Sequence, residues 1–216
     1  GSLYLVDWNN EIIDQFSYPA QFRNTSFGRK SDGADELVFF EDHSPGSSNN
    51  GRNWSNTRCI EPVPTVAGGL YPSELAVAFE APQPGDTIIY TLNGDEPTRN
   101  NAIRYQPGST LQITNNTVIR AITIGKGKLA SDITTASYLI GQREFNLPVV
   151  SLVTSPKFLF DNTIGIYVEG TNGIEGCGDP LPHNWNQDWD RPANFELFDR
   201  SKLSRLNQEI DIQTAG

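Results

Sequence analysis

The sequence predicts a mainly β protein, an antiparallel sandwich flanked by partial β segments and carrying one short helix. Three observations predict it. Short runs in which large apolar residues alternate with smaller or polar ones recur between Leu75 and Tyr138, with Pro and Gly between them. One of these runs ends in Asn93-Gly94, the strongest short turn signal. A convincing helix start occurs once, where Thr154 or Ser155 precedes Pro156 and then Lys157-Phe158-Leu159-Phe160.

Taken in order, residues 1–50 hold two strand-like runs, Leu3-Tyr4-Leu5-Val6 and Glu36-Leu37-Val38-Phe39-Phe40, separated by polar turns. Residues 51–69 read as a linker, following the turn-rich Ser44-Pro45-Gly46-Ser47 and including Glu61-Pro62-Val63-Pro64. Residues 70–141 contain the regular strands. Leu75, Val77 and Phe79 alternate, as do the residues of Thr87–Leu92. Thr117–Ile124 places Val118, Arg120, Ile122 and Ile124 on one face and Ile119, Ala121 and Thr123 on the other. That spacing argues for a sandwich of immunoglobulin or fibronectin type. Residues 142–216 open with an apolar strand, Pro148–Val153, followed by the short helix. A strand-like Ile164–Val168 comes next, then an irregular Gly-rich loop to Asn186 and an alternating tail, Ala193–Phe198. The chain closes on Ile210-Asp211-Ile212 as if in mid-strand. It opens Gly1-Ser2 without Met, so the natural N-terminus and any signal peptide are expected upstream.

Three stretches resemble known families. Ser26-Phe27-Gly28-Arg29, Ser31-Asp32-Gly33, Val38-Phe39-Phe40 and Ser44-Pro45-Gly46 resemble the closing half of a lamin-tail domain. Thr87–Thr98 with its Asn93-Gly94-Asp95-Glu96-Pro97, then Thr117–Ala121, Ser131-Asp132 and Tyr138, resemble the C-terminal domain of chitobiase and β-hexosaminidase. This resemblance implies a fibronectin-like accessory module without catalytic carboxylates. Leu147–Thr154, Leu159-Phe160-Asp161, Gly165–Val168, Asn186–Pro192 and Glu196-Leu197-Phe198 resemble the opening of the spore-coat protein H kinase family. Its ATP-handling and catalytic acids are expected beyond residue 216, so no kinase residue is carried over. Together the resemblances imply a fragment of a secreted or cell-surface protein of bacterial type.

Composition narrows the chemistry. Sixteen basic and twenty-six acidic residues give a net charge of -10, and no Lys/Arg cluster offsets it, so nucleic acid is not expected as a partner. No apolar run approaches the ~20 residues of a membrane-spanning helix, and no membrane insertion is expected. The only histidines, His43 and His183, both look loop-borne, which gives poor support to a His-ligated metal centre or a nucleophilic triad. A calcium site using Asp179, Asp188 or Asp190 lacks EF-hand spacing. No metal or cofactor is therefore expected. Gly125-Lys126-Gly127-Lys128 lacks the spacing of a phosphate-binding loop and reads as a hairpin turn with solvated lysines. Asp95 reads as a turn former rather than a catalytic acid.

Cys59 and Cys177 lie far apart and leave two readings, one long-range disulfide or two inert thiols. The best candidate contact surface is Trp185, Asp188, Trp189 and Arg191, where two indoles interleave with acids and amides and offer flat faces and hydrogen bonds to a glycan or surface protein. The competing reading packs both tryptophans into a core and pairs Asp188 or Asp190 with Arg191. Trp8 and Trp54 are expected to be packing residues. The units are expected to be self-contained, without an assembled reactive centre, and to present neighbouring domains in a larger exported protein. The rival functions are a carbohydrate-binding or cell-adhesion module, and part of an ATP-dependent protein kinase. An unpaired edge in residues 1–50 is expected to allow self-association.

Overall fold

Residues 1–22, 25–142 and 145–214 are described by the computed structural model, except for the side chain of Asp179, which with its calcium assignment lies outside that description. The chain is mainly β, and its alternation is realised strand by strand. In chain order the strands are β1 (Ser2–Val6), β2 (Ile12–Ser17), β3 (Ser26–Arg29), β4 (Leu37–Phe40), β5 (Gly69–Tyr71), β6 (Leu75–Val77), β7 (Thr87–Thr91) and β8 (Ile103–Arg104). There follow β9 (Leu111–Ile113), β10 (Thr117–Ile124), β11 (Thr134–Ile140), β12 (Val149–Val153), helix α1 (Pro156–Phe160), β13 (Ile174–Gly176), β14 (Asp179–His183), β15 (Arg191–Phe198) and β16 (Ser204–Ile212).

The sandwich lies in the middle of the chain. A five-stranded sheet of order β5-β11-β10-β7-β8 faces the pair β6-β9. It is antiparallel except that β5 runs parallel to β11. Between the sheets sit Val77, Phe79, Ile88, Tyr90, Tyr105, Ile113, Ile119, Ala121, Ala136 and Tyr138. Of the two faces of β10, the one bearing Ile119, Ala121 and Thr123 therefore looks into the core. Tyr105 carries a polar group into it without penalty, because its hydroxyl accepts from Phe79 N at 3.2 Å and donates to Ser109 O at 2.8 Å.

Residues 51–69, a linker by composition, run along this sandwich. Ser55 bridges to Phe39 and donates to Gly127 O, Cys59 N donates to Leu129 O, and Pro64 bridges to Phe79. Those bonds satisfy the backbone of a Pro-rich segment that cannot form a regular ladder.

The C-terminal strands form a second antiparallel sheet, β12-β15-β16. Ser151, Asn194, Glu196 and Asn207 lie on one face together with Val149, Val153 and Phe198, and Val150, Leu152, Phe195, Leu197 and Leu206 on the other. The first face packs on the sandwich, and it carries buried Val153 and Phe198 as well as the polar groups. Ser151 Oγ lies 2.8 Å from Ser137 Oγ, Asn207 Nδ2 donates to Thr135 O at 2.8 Å, and a Lys202 carbonyl accepts from Leu70 N. Val150, Leu152 and Leu206 remain 51%, 52% and 41% exposed on the outer face. The units are thus not self-contained: a polar seam joins them.

Three local expectations are corrected. Ile164–Val168 forms no strand but folds back onto α1, with Gly165 N, Ile166 N and Tyr167 N donating to Asp161, Phe158 and Leu159 carbonyls. A Cβ at Gly165 would meet the Asp161 and Leu159 carbonyl oxygens at 2.6 Å, so this fold-back requires glycine. The Gly-rich loop contains a hairpin, β13–β14. Trp8 and Trp54 are not core residues: Trp8 is 91% exposed at the tip of the β1–β2 hairpin, and Trp54 lies beneath the Lys30 ammonium at 4.0 Å. The helix begins where expected, with Ser155 at its N-cap, but the Ser155 hydroxyl donates to Asp95 Oδ1 at 3.0 Å instead of capping.

Candidate functional site

The tryptophan segment is built around Asn184, which is fully buried. Its Nδ2 donates to the carbonyls of Asn162 and Gly165 at 3.2 and 3.1 Å, and its Oδ1 accepts from Asn172 N at 3.0 Å. One side chain thereby ties three loop strands and fixes a single 3-10 turn, Asn184–Asn186. Trp185 emerges from that turn 37% exposed, with its ring tilted by 31° against the His183 ring at 4.4 Å. Trp189 is half-buried, and the Arg191 guanidinium lies over its ring at 4.6 Å.

The packing alternative is therefore corrected. Neither indole enters the core. Arg191 Nε donates to Ile164 O at 2.8 Å and its Nη1 to the backbone carbonyl of Asp190, while Asp188 accepts from Gln213. Each indole has its own neighbour, a tilted imidazole beside the exposed Trp185 and a guanidinium over Trp189. This arrangement offers an apolar platform bordered by amides, with no assembled acid–base pair.

A cleft of about 250 Å³ opens where the three parts of the chain meet, between Arg58, Asp132, Glu41, Glu96, Ile122 and Glu209. Its strongest feature is a fork. Arg58 Nη1 and Nη2 reach the two Asp132 carboxylate oxygens at 2.7 and 2.6 Å, Nε donates to Ala130 O, and the guanidinium lies over Phe22 at 4.5 Å. Glu41 Oε1 accepts from Ala130 N at 2.6 Å. Ser131 accepts from Thr123 N and donates to Asp132 O, so its hydroxyl has no base beside it. These groups fasten the N-terminal strands to the β10–β11 turn. Among the described residues, no three His, Cys, Asp or Glu side chains gather to hold a metal ion.

Sequence reasoning missed the seam between the sandwich and the second sheet. Glu196 is fully buried there. Burial pushes its carboxyl above the ordinary glutamate value, partly offset by hydrogen bonds from the Ser137 side chain and backbone. Asn207 Nδ2 reaches Glu196 Oε1 at 3.3 Å, Asn194 Nδ2 donates to Asn207 Oδ1 at 2.9 Å, and Arg120, 3% exposed, donates to Gly94 O at 3.4 Å. In β10 and β15 a charged residue has apolar neighbours on both sides, a cue that by itself fits either face. Alternation alone does not say which face is covered.

The cysteines are two free thiols, Cys59 buried and Cys177 exposed. Cys59 lies beside Asp86, whose side chain is 3% exposed and takes the Lys128 ammonium at 2.8 and 2.9 Å. Burial first, and the Asp86 charge second, hold the Cys59 thiol above its ordinary range, so it is not activated. Lys128 is accordingly not a solvated turn lysine. It neutralises a buried carboxylate.

No curated protein matches the chain. No helix among the described residues is long and apolar enough to cross a membrane. Residues 66–135, which run from the end of the connector through β10 to the start of β11, match the family model of the chitobiase/beta-hexosaminidase C-terminal domain. This stretch of the chain is similar to a fibronectin-like accessory module, a kind of domain that occurs in extracellular glycoside hydrolases.

Proposed function

We propose that the chain is a non-catalytic mount within an exported protein, whose sandwich holds the flanking β segments in fixed orientation and presents them. The observation that carries this reading is the hydrogen-bonded face of the second sheet. The face of β12-β15-β16 turned to the sandwich sets Ser151, Glu196 and Asn207 among buried Val153 and Phe198, and leaves Val150, Leu152 and Leu206 outward. Hydrogen bonds through Ser137, Glu196 and Asn207 have strict geometry, so they set orientation as well as attachment. The Glu41–Ala130 hydrogen bond and the Arg58 guanidinium over Phe22 do the same for the N-terminal segment. Reading residues 1–50 as lamin-tail-like and 142–216 as the opening of a kinase-like region belongs to this proposal.

Hydrogen exchange tests it. In Ser137→Ala/Asn207→Ala, amides of β12 and β15 are expected to lose protection while those of β10 and β7 keep theirs. Unchanged protection in β12 and β15 refutes the mount. ATP with magnesium is expected to leave the melting temperature unmoved, and a rise of several degrees would favour kinase chemistry instead.

A second reading, a glycan-binding module, is favoured by the open face of Trp185. It predicts quenching of tryptophan fluorescence by chitin oligosaccharides that disappears in Trp185→Ala. Silence across chitin and cell-wall fragments at millimolar concentration removes it.

A further inference from the structure

The mount does not use the β1–β2 hairpin, and the hairpin is physically incomplete. A two-stranded ribbon with water on both faces is marginal by itself. Here Leu3, Tyr4, Leu5, Ile12 and Ile13 are each 54–64% exposed, Val6 is 45% exposed and Trp8 is 91% exposed. Leu3 and Leu5 lie on one face of β1 and Tyr4 and Val6 on the other, so both faces of the ribbon present apolar side chains to water.

The two edges of the ribbon differ. β2 carries Asp14, which is occupied by Arg29 at 2.9 Å. β1, Ser-Leu-Tyr-Leu-Val, has no charge, and its outer edge pairs with nothing among the described residues. Its sequence is nearly symmetric about Tyr4.

We propose that β1 pairs antiparallel with β1 of a second copy about a two-fold axis at Tyr4. Tyr4 then faces Tyr4, Leu3 faces Leu5, and Ser2 faces Val6, giving a continuous β2-β1-β1-β2 sheet. An isologous contact of this kind closes at two subunits, and its aliphatic and aromatic cross-strand pairs are favourable ones. The net charge of -10 does not oppose it locally. The hairpin tips with Asp7 and Glu11 point in opposite directions, and at 3.4 Å per residue the two Asp7 residues lie about 20 Å apart. That is beyond the Debye length of about 8 Å at physiological salt.

The test uses the full chain with Cys177→Ser, which removes the exposed thiol. Sedimentation equilibrium is expected to show a dimer at micromolar to submillimolar concentration. Leu5→Lys, which places an ammonium on each side of the pairing, is expected to raise the dimer Kd about tenfold or more. Mild oxidation of Tyr4→Cys is expected to give a disulfide-linked dimer, because facing Cβ atoms in such a pair lie within disulfide reach. Trp8→Cys, although more exposed, is expected to give none. A strict monomer over that range overturns the proposal. So does a dimer that survives Leu5→Lys and does not cross-link at Tyr4, since its interface lies elsewhere. If Leu5→Lys fails to fold, the contrast between the two cysteine variants decides.

Discussion

Glu196→Gln is the sharpest probe of the seam. Glu196 has no exposed surface, its Oε1 takes Asn207, and Oε2 has no hydrogen-bond partner among the described residues. Burial raises its carboxyl pKa in the folded chain. A raised acid penalises the fold only when ionised. The penalty is full above the folded pKa, shrinks as pH falls through it, and is gone below the ordinary glutamate value of about 4.3. Wild-type stability should therefore rise on acidification from neutral toward that value, by about 1.4 kcal/mol for each unit of displacement. The amide keeps an acceptor for Ser137 and discards the charge, so Glu196→Gln should match or exceed wild type at pH 8 and lose the pH slope. Glu196→Ala instead takes an acceptor from Asn207 and opens a void, at a cost of about 2–4 kcal/mol. Asp199 titrates with the opposite sign but lower down. The Ser201 hydroxyl and then Arg205 hold it at about 2, so what it contributes is lost only as pH falls below the ordinary aspartate range. Urea unfolding at pH 5 and pH 8 separates the three chains. A flat wild-type profile between those values, or a Glu196→Gln chain as weak as Glu196→Ala at pH 8, refutes the burial argument.

Three further outcomes are expected. Tyr138→Phe removes a fully buried hydroxyl that donates to Val66 O at 2.7 Å, and should cost about 1–2 kcal/mol in urea unfolding without changing the m-value. In Gly68→Ala the new Cβ would stand 2.8 Å from Glu196 Oε1 and 3.0 Å from Ser137 O, and overpacking there should lower stability by about 1–3 kcal/mol. A thiol reagent should label one cysteine, Cys177, in the native chain and both after unfolding; immediate labelling of Cys59 would contradict its burial.

The sandwich was legible because its period-2 runs have one apolar face each, as in Leu75, Val77 and Phe79, and because Pro156 after Ser155 marks a helix start regardless of context. Where two faces of one strand carry plausible cover, the pattern falls silent. β15 alternates cleanly, yet nothing in Phe195-Glu196-Leu197 announces that the glutamate goes inside, since that depends on Ser137 and Asn207 arriving from other strands. Ile164–Val168 has strand composition but sits where Gly165 allows the backbone to fold onto α1. The candidate site was legible as a cluster of indoles. The buried pivot, Asn184, was not, because its three partners come from residues 12 to 22 positions away.

The parallel pairing of β5 with β11 has a mechanical meaning. Once the connector's bonds to Gly127, Leu129 and Phe79 give way, tension carried along the chain enters at Gly69–Tyr71 and leaves at Thr134–Ile140, and these two strands lie side by side with Gly69, Leu70 and Tyr71 in register with Tyr138, Leu139 and Ile140. A pull on the two ends slides one strand along the other, so the hydrogen bonds of that patch are strained together instead of opening in turn. A unit loaded in this way would yield late, and then all at once.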